Sequence, residues 1–166
     1  MIHAIYRTLK STQPFSIVGR LALASASCLL VLMAVTITCA AAAPAVVHLS
    51  LDRYPKVSHV NAGDSVGVGP AVLTVHVGDS IIFVNDDAVA HHTATGLVGA
   101  TLFGEPRWTQ AVLKPFGNIG SQQWSSGDLA PGARSAPLLA STPGTFLYGC
   151  FFHYSAGMRG EIIVEP

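Results

Sequence analysis

Cys150, His153 and Met158 place a thiol, an imidazole and a thioether within nine residues, in the run Cys150-Phe151-Phe152-His153-Tyr154-Ser155-Ala156-Gly157-Met158. A second source of imidazole lies upstream at His91-His92. Two His, one Cys and a more distant Met form the donor set of an electron-transfer copper site. Thiolate and imidazoles define a trigonal plane there, and the thioether occupies a weak axis. The spacing Cys-x2-His-x4-Met lets one tight loop turn three donors toward one point.

The cysteine count sharpens this reading. The chain has three Cys: Cys28, Cys39 and Cys150. The first two fall in an apolar leader. With that leader removed, Cys150 is the single thiol left, with no intramolecular disulfide partner. A lone exported thiol is then free, bridged to another molecule or a metal ligand, and coordination would hold it as thiolate.

The leader is read from charge. Residues 1–20 carry Arg7, Lys10 and Arg20 and no acid, and residues 21–43 carry no charge. The uncharged run ends in Thr38-Cys39-Ala40-Ala41-Ala42-Ala43-Pro44. A basic start, an apolar middle and small residues at the end describe a secretory signal spanning 1–43, cut near Ala41 to Ala43. The alternative is an uncleaved membrane anchor, because 23 uncharged residues can span a bilayer. A lipoprotein anchor at Cys39 is weaker, since Thr36-Ile37-Thr38 matches the usual lipobox poorly. Both main readings place residues 44–166 outside the cytoplasm, periplasmic or secreted in one case and membrane-anchored in the other.

Beyond Ala43 there are nine acids and six bases, a net charge of −3 with His neutral. No basic block exists, which argues against nucleic acid as a partner. Residues 44–166 suffice for one modest core without staples. Their apolar stretches are short, rich in Val, Ile and Thr, and punctuated by Gly, Pro and Asp. Residues 46–51, 72–77, 80–85, 145–150 and 160–164 read as strands, with turns at Ala62-Gly63-Asp64, Gly67-Val68-Gly69-Pro70 and Gly78-Asp79. This pattern predicts an all-β sandwich. Residues 96–135, with Trp108 and Trp124, show little periodicity. They read as a long packed crossover with a short helix near 109–113.

These residues resemble the cupredoxins. Leu73-Thr74-Val75-His76-Val77-Gly78-Asp79-Ser80-Ile81-Ile82-Phe83-Val84-Asn85 is similar to the strand, Gly-Asp turn and strand ahead of the first copper ligand in that family. Pro143-Gly144-Thr145-Phe146-Leu147-Tyr148-Gly149-Cys150 resembles its Pro-Gly-Thr-x-x-Tyr-x-Cys strand, and Met158-Arg159-Gly160-Glu161-Ile162-Ile163-Val164 resembles its closing strand. The likeness runs from about residue 72 to 164, loosely over 96–135. The ligand-loop spacing resembles that of plastocyanin and pseudoazurin. The chain departs from the pattern where Ala90 or His91 stands in place of a common Pro, where Phe152 precedes His153, and where Tyr154 follows it. The resemblance implies a two-sheet Greek-key β-sandwich with one long crossover loop, holding one Cu(I)/Cu(II) ion.

In that reading Cys150 is the thiolate, His153 the C-terminal imidazole and Met158 the axial thioether. For the upstream imidazole, counting from Phe83-Val84-Asn85 by the family's interval points to His91, whereas His92-Thr93-Ala94-Thr95 resembles the family's His-Thr-Val-Thr. Strand alternation favours His92, with Ala94 facing the core and Thr93 and Thr95 facing out. His91 is then a solvated loop residue. His48, His59 and His76 read as surface imidazoles, and Asp86-Asp87 most simply as a solvated turn, which next to copper would add negative potential as a minor tuning effect.

The expected function is a non-enzymatic, exported carrier of single electrons. It would meet redox partner proteins transiently near His153, where Phe151, Phe152, Tyr154, Ala156 and Gly157 offer an apolar patch. One rival is a copper-binding or copper-delivery protein without redox turnover; another is a metal-free β-sandwich interaction module. A copper enzyme would need an open coordination position, which a complete two-His, Cys, Met set does not leave.

Overall fold

A computed structural model of the chain describes residues 42–61, 63–97 and 106–166. The leader reading of 1–43 lies almost wholly outside them, as does the 98–105 part of the crossover.

Twelve strands are present among the described residues: β1 (Ala45–Leu49), β2 (Val57–Val60), β3 (Gly63–Ser65), β4 (Val68–Gly69), β5 (Val72–His76), β6 (Ser80–Asn85), β7 (Thr95–Gly96), β8 (Pro115–Phe116), β9 (Ser125–Ser126), β10 (Leu138–Leu139), β11 (Gly144–Gly149) and β12 (Arg159–Glu165). One sheet has the order β10-β6-β1-β4 and the other β5-β12-β11-β7-β9-β8, with β2-β3 as a separate hairpin. β1 runs parallel to β6 and β5 parallel to β12; the other pairs are antiparallel. The chain passes repeatedly from one sheet to the other, and the result is an all-β two-sheet sandwich.

Alternation explains the layers. Val47 and Leu49 of β1, Ile81 and Phe83 of β6, and Ile162 and Val164 of β12 are buried in one cluster. In the parallel pair, Val47 lies beside Phe83 and Leu49 beside Asn85, so inward positions coincide. Phe83 meets Tyr148 edge-on at 5.3 Å and stacks on Trp124 at 6.0 Å. Such aromatic pairs add about 0.5–1.5 kcal/mol each beyond the area they bury.

Three sequence expectations need correction. Gly63 and Asp64 belong to β3, not to a turn, and pair with β2 across a register irregularity. Val68 and Gly69 form β4 on the edge of the first sheet. There Gly69 faces the Tyr54 ring, whose Cδ1 would lie 2.5 Å from a Cβ at that position. The glycine is used for close approach rather than for turning. The crossover is also more regular than its sequence suggested: it carries β7, β8 and β9, and its helix is a single 3-10 turn, Gln110–Leu113, capped by the Thr109 hydroxyl accepting from Ala111 N–H. Strands of two residues have no periodicity to read, so their pairing comes from tertiary contact.

Candidate metal centre

Two elements supply the donors. β6 ends at Asn85, and the chain then turns through 86–91 to reach His92, which exchanges backbone hydrogen bonds with Leu129 of the crossover (3.1 and 2.8 Å). The turn is shaped by Asn85, which is fully buried. Its amide accepts from Asp87 N–H (2.9 Å) and donates to the carbonyls of Ala90 and Leu129 (2.8 Å each). On the other side, β11 and β12 are paired up to Gly149 and Arg159, and the loop between them carries Cys150 to Met158. That loop is closed by Cys150 N–H to Met158 O (2.9 Å), His153 N–H to Cys150 O (3.3 Å) and Met158 N–H to His153 O (3.1 Å).

The structure brings His92, Cys150 and His153 together. Cys150 Sγ lies 3.8 Å from His92 Nδ1 and 3.6 Å from His153 Nδ1, and the two Nδ1 atoms are 3.2 Å apart. The point equidistant from all three is about 2.1 Å from each, the length of a bond from imidazole or thiolate to a first-row metal. Thiolate with imidazoles suits copper. Met158 is fully buried in the same cluster as Cys150, and its backbone is hydrogen-bonded to that of Cys150 and His153. His91 stands apart: its side chain is half exposed and its Nδ1 pairs with Asp128 at 2.9 Å.

The protonation states follow from the surroundings. Burial pushes the Cys150 thiol above its ordinary value, opposed by hydrogen bonds that include the Thr93 N–H, 3.4 Å from Sγ. Burial pushes the His153 imidazole below the usual histidine value; nearby His92 adds to this and the Asp87 charge opposes it. The Asp87 carboxyl is held below the usual range by its hydrogen bond to His92, which outweighs the opposing effect of burial.

Asp87 is the residue whose place the sequence reading missed. The sequence pattern pairs it with Asp86 in a solvated turn, yet it is 8% exposed, and Oδ2 meets His92 Nε2 at 3.0 Å. The signal was its position five residues ahead of a candidate ligand, too common to single out. Asp86 is half-buried and bonds His48 Nδ1 (2.8 Å) and the Tyr54 hydroxyl (2.9 Å). His48 and His76 are solvent-accessible; the side chain of His59 lies outside the described set.

Thr93 and Thr95 also differ from expectation. Ala94 faces the core, but both threonines are 1% exposed. The crossover covers the outer face of β7. Thr93 Oγ1 accepts from Phe151 N–H (2.9 Å) and contacts Thr95 Oγ1 (3.0 Å), which meets Ser125 Oγ (3.1 Å). The two ligand segments are therefore tied to each other through Thr93. In the expected apolar patch, Phe152 is 41% exposed and Ala156 is exposed, but Tyr154 and Gly157 are buried. Tyr154 turns inward against Trp108 (5.5 Å, edge-on) and beneath the Arg159 guanidinium (4.6 Å). Val89, in the turn before His92, is 83% exposed.

Neither a scan of family models nor a search of curated proteins finds a match. Solved structures similar in fold include cupredoxins. One is a purple cupredoxin from Nitrosopumilus maritimus, 21% identical, covering 73% of this chain and 99% of that one, with a TM-score of 0.48. Another is a reduced auracyanin from Roseiflexus castenholzii, at 20% identity, 76% and 100% coverage and a TM-score of 0.47. A third is the oxidised plastocyanin from Dryopteris crassirhizoma, at 22% identity, 73% and 100% coverage and a TM-score of 0.43.

Proposed function

We propose that this protein is an exported type 1 copper protein that carries single electrons between redox partners. One copper ion would be held by His92 Nδ1, Cys150 Sγ and His153 Nδ1, with Met158 as the weak axial ligand. The observation that carries this is the convergence of one sulfur and two ring nitrogens, with edges of 3.2 to 3.8 Å, at the end of a β-sandwich. Copper supplies a one-electron couple whose preferred geometry such a set holds nearly constant. The chain's own residues hold the donors in place through the Asn85 amide, the Thr93 hydroxyl and the closed 150–158 loop, and His92 and Cys150 are buried from water.

Export is supported by Arg7, Lys10 and Arg20 ahead of the uncharged run 21–43. Partner proteins would meet the protein near His153, where Phe152 and Ala156 are exposed. The test is the visible spectrum of the Cu(II)-loaded protein. An intense thiolate-to-copper band, lost in Cys150→Ser and bleached reversibly by a reductant, is the expected result. Tight copper binding without a reversible couple would identify a copper-delivery protein instead. No stoichiometric binding would overturn the proposal and leave a metal-free interaction module.

A further inference from the structure

Resting on the copper reading above, we infer that Asp87 is the positioning residue of the centre. Its buried carboxylate fixes which nitrogen of His92 faces the metal, and it lends that ligand negative charge, so the site favours the oxidised ion.

An imidazole offers its metal a lone pair on one nitrogen only if the proton sits on the other. Nδ1 of His92 lies among the donors, 3.2 Å from His153 Nδ1 and 3.8 Å from Cys150 Sγ. Nε2 lies 3.0 Å from Asp87 Oδ2. An ionised carboxylate can only accept, so it requires the proton on Nε2 and leaves Nδ1 bare. A carbonyl or a water could orient the ring as well, but neither brings a full charge.

The carboxylate is itself fixed. Oδ2 also accepts from Leu51 N–H (3.2 Å), just beyond β1, and Oδ1 accepts from Ala88 N–H (3.1 Å). Asp87 N–H donates to Asn85 Oδ1 (2.9 Å), so both backbone and side chain are held. With the Asp87 side chain 6% and the His92 side chain 0% exposed, water does little to screen the pair. The ion-pair partner of the Asp87 carboxylate is the His92 ring, at 3.0 Å. A dication gains more from this charge than a monocation does. Asp87 therefore strengthens binding of Cu(II) more than of Cu(I), and it lowers the reduction potential.

The test compares Asp87→Asn with wild type. Asn keeps an oxygen that can accept from Nε2–H and removes only the charge. Partners of metal-ligating histidines typically contribute about 10–100-fold in metal affinity. The expected result is a loss of about tenfold or more in Cu(II) affinity with a smaller loss for Cu(I), measured by chelator competition in each oxidation state. Each tenfold difference between the two would raise the potential by about 59 mV. Equal losses in both states, or an unchanged potential in a folded variant, would overturn the inference and leave Asp87 a purely structural residue. A second measurement needs neither a variant nor copper. In the metal-free full-length protein, nitrogen-15 NMR should show His92 as the Nε2–H tautomer alone. Tautomer exchange, or an Nδ1–H form, would overturn the tautomer lock. If wild type shows the locked tautomer but no thiolate-to-copper band, the copper reading fails together with the charge effect, while the positioning by Asp87 stands.

Discussion

Asn85→Ala tests how the first histidine is delivered. Asn85 is fully buried and makes three hydrogen bonds with its side chain: from Asp87 N–H (2.9 Å), and to Ala90 O and Leu129 O (2.8 Å each). Three such bonds contribute about 1 kcal/mol each, and an orphaned buried N–H costs a further 1–3 kcal/mol. Leu129 O keeps the His92 N–H as a donor, whereas the Asp87 N–H and the Ala90 carbonyl lose the partner that Asn85 gives them. The expected loss is about 4–6 kcal/mol, read from urea unfolding of the metal-free protein. Asn85→Asp is the sharper variant. It preserves shape and the Oδ1 acceptor but sets a carboxylate oxygen against two carbonyls, beside Asp87. At neutral pH it should destabilise more than Ala does. A loss below about 1 kcal/mol for Asn85→Ala, or an Asp variant milder than the Ala variant, would refute the account of the turn. Stabilisation by added copper should also shrink in both variants, because the ordered turn presents His92.

Three further outcomes are expected. His92→Ala should abolish the thiolate-to-copper band while His91→Ala retains it; the reverse would reassign the upstream ligand. Copper binding at neutral pH should release about one proton per ion, because burial keeps the free Cys150 thiol protonated, and calorimetry in buffers of different ionisation enthalpy would count it. Gly149→Ala should destabilise by about 1–3 kcal/mol, since the added Cβ would sit 2.5 Å from Tyr154 Cδ2 and 3.2 Å from Trp108 Cη2. In a Tyr154→Ala background that cost should fall, and an unchanged cost in the double-mutant cycle would show the clash to be absent.

The parts of this molecule legible in the sequence are those carried by short-range pattern. The strand 80–85 could be bounded from its short apolar run and the flanking Gly78-Asp79. The loop donors could be grouped because Cys150, His153 and Met158 lie within one turn of chain. Alternation separated His92 from His91, but its corollary for Thr93 and Thr95 did not hold. Alternation gives opposite faces, and whether the second face is wet depends on what covers it. Here the crossover does, through Ser125 and Leu129. Asp87 was out of reach for a similar reason. An Asp after a strand is usually solvated, and only the fold shows that its carboxylate sits between Leu51 N–H and His92 Nε2. Strands β7 and β10, of two residues each, pair with the longer β11 and β6, and β9 and β8, equally short, extend the sheet from β7.

The parallel pairing of β5 with β12 has a consequence in time. Val72 lies beside Glu161 and His76 beside Glu165, so the second sheet closes between segments almost ninety residues apart. Contacts of that separation form slowly, because a long loop must be closed before they return anything. β12 also flanks the loop that carries Cys150, His153 and Met158, opposite β11. A ribosome or translocation channel still holding the last few dozen residues would therefore display an unfinished sheet, with thiol and imidazoles not yet gathered. The centre is among the last features of the chain to come into being. On the proposed copper reading, metal loading would thereby be reserved for a completed molecule, wherever that molecule finishes folding.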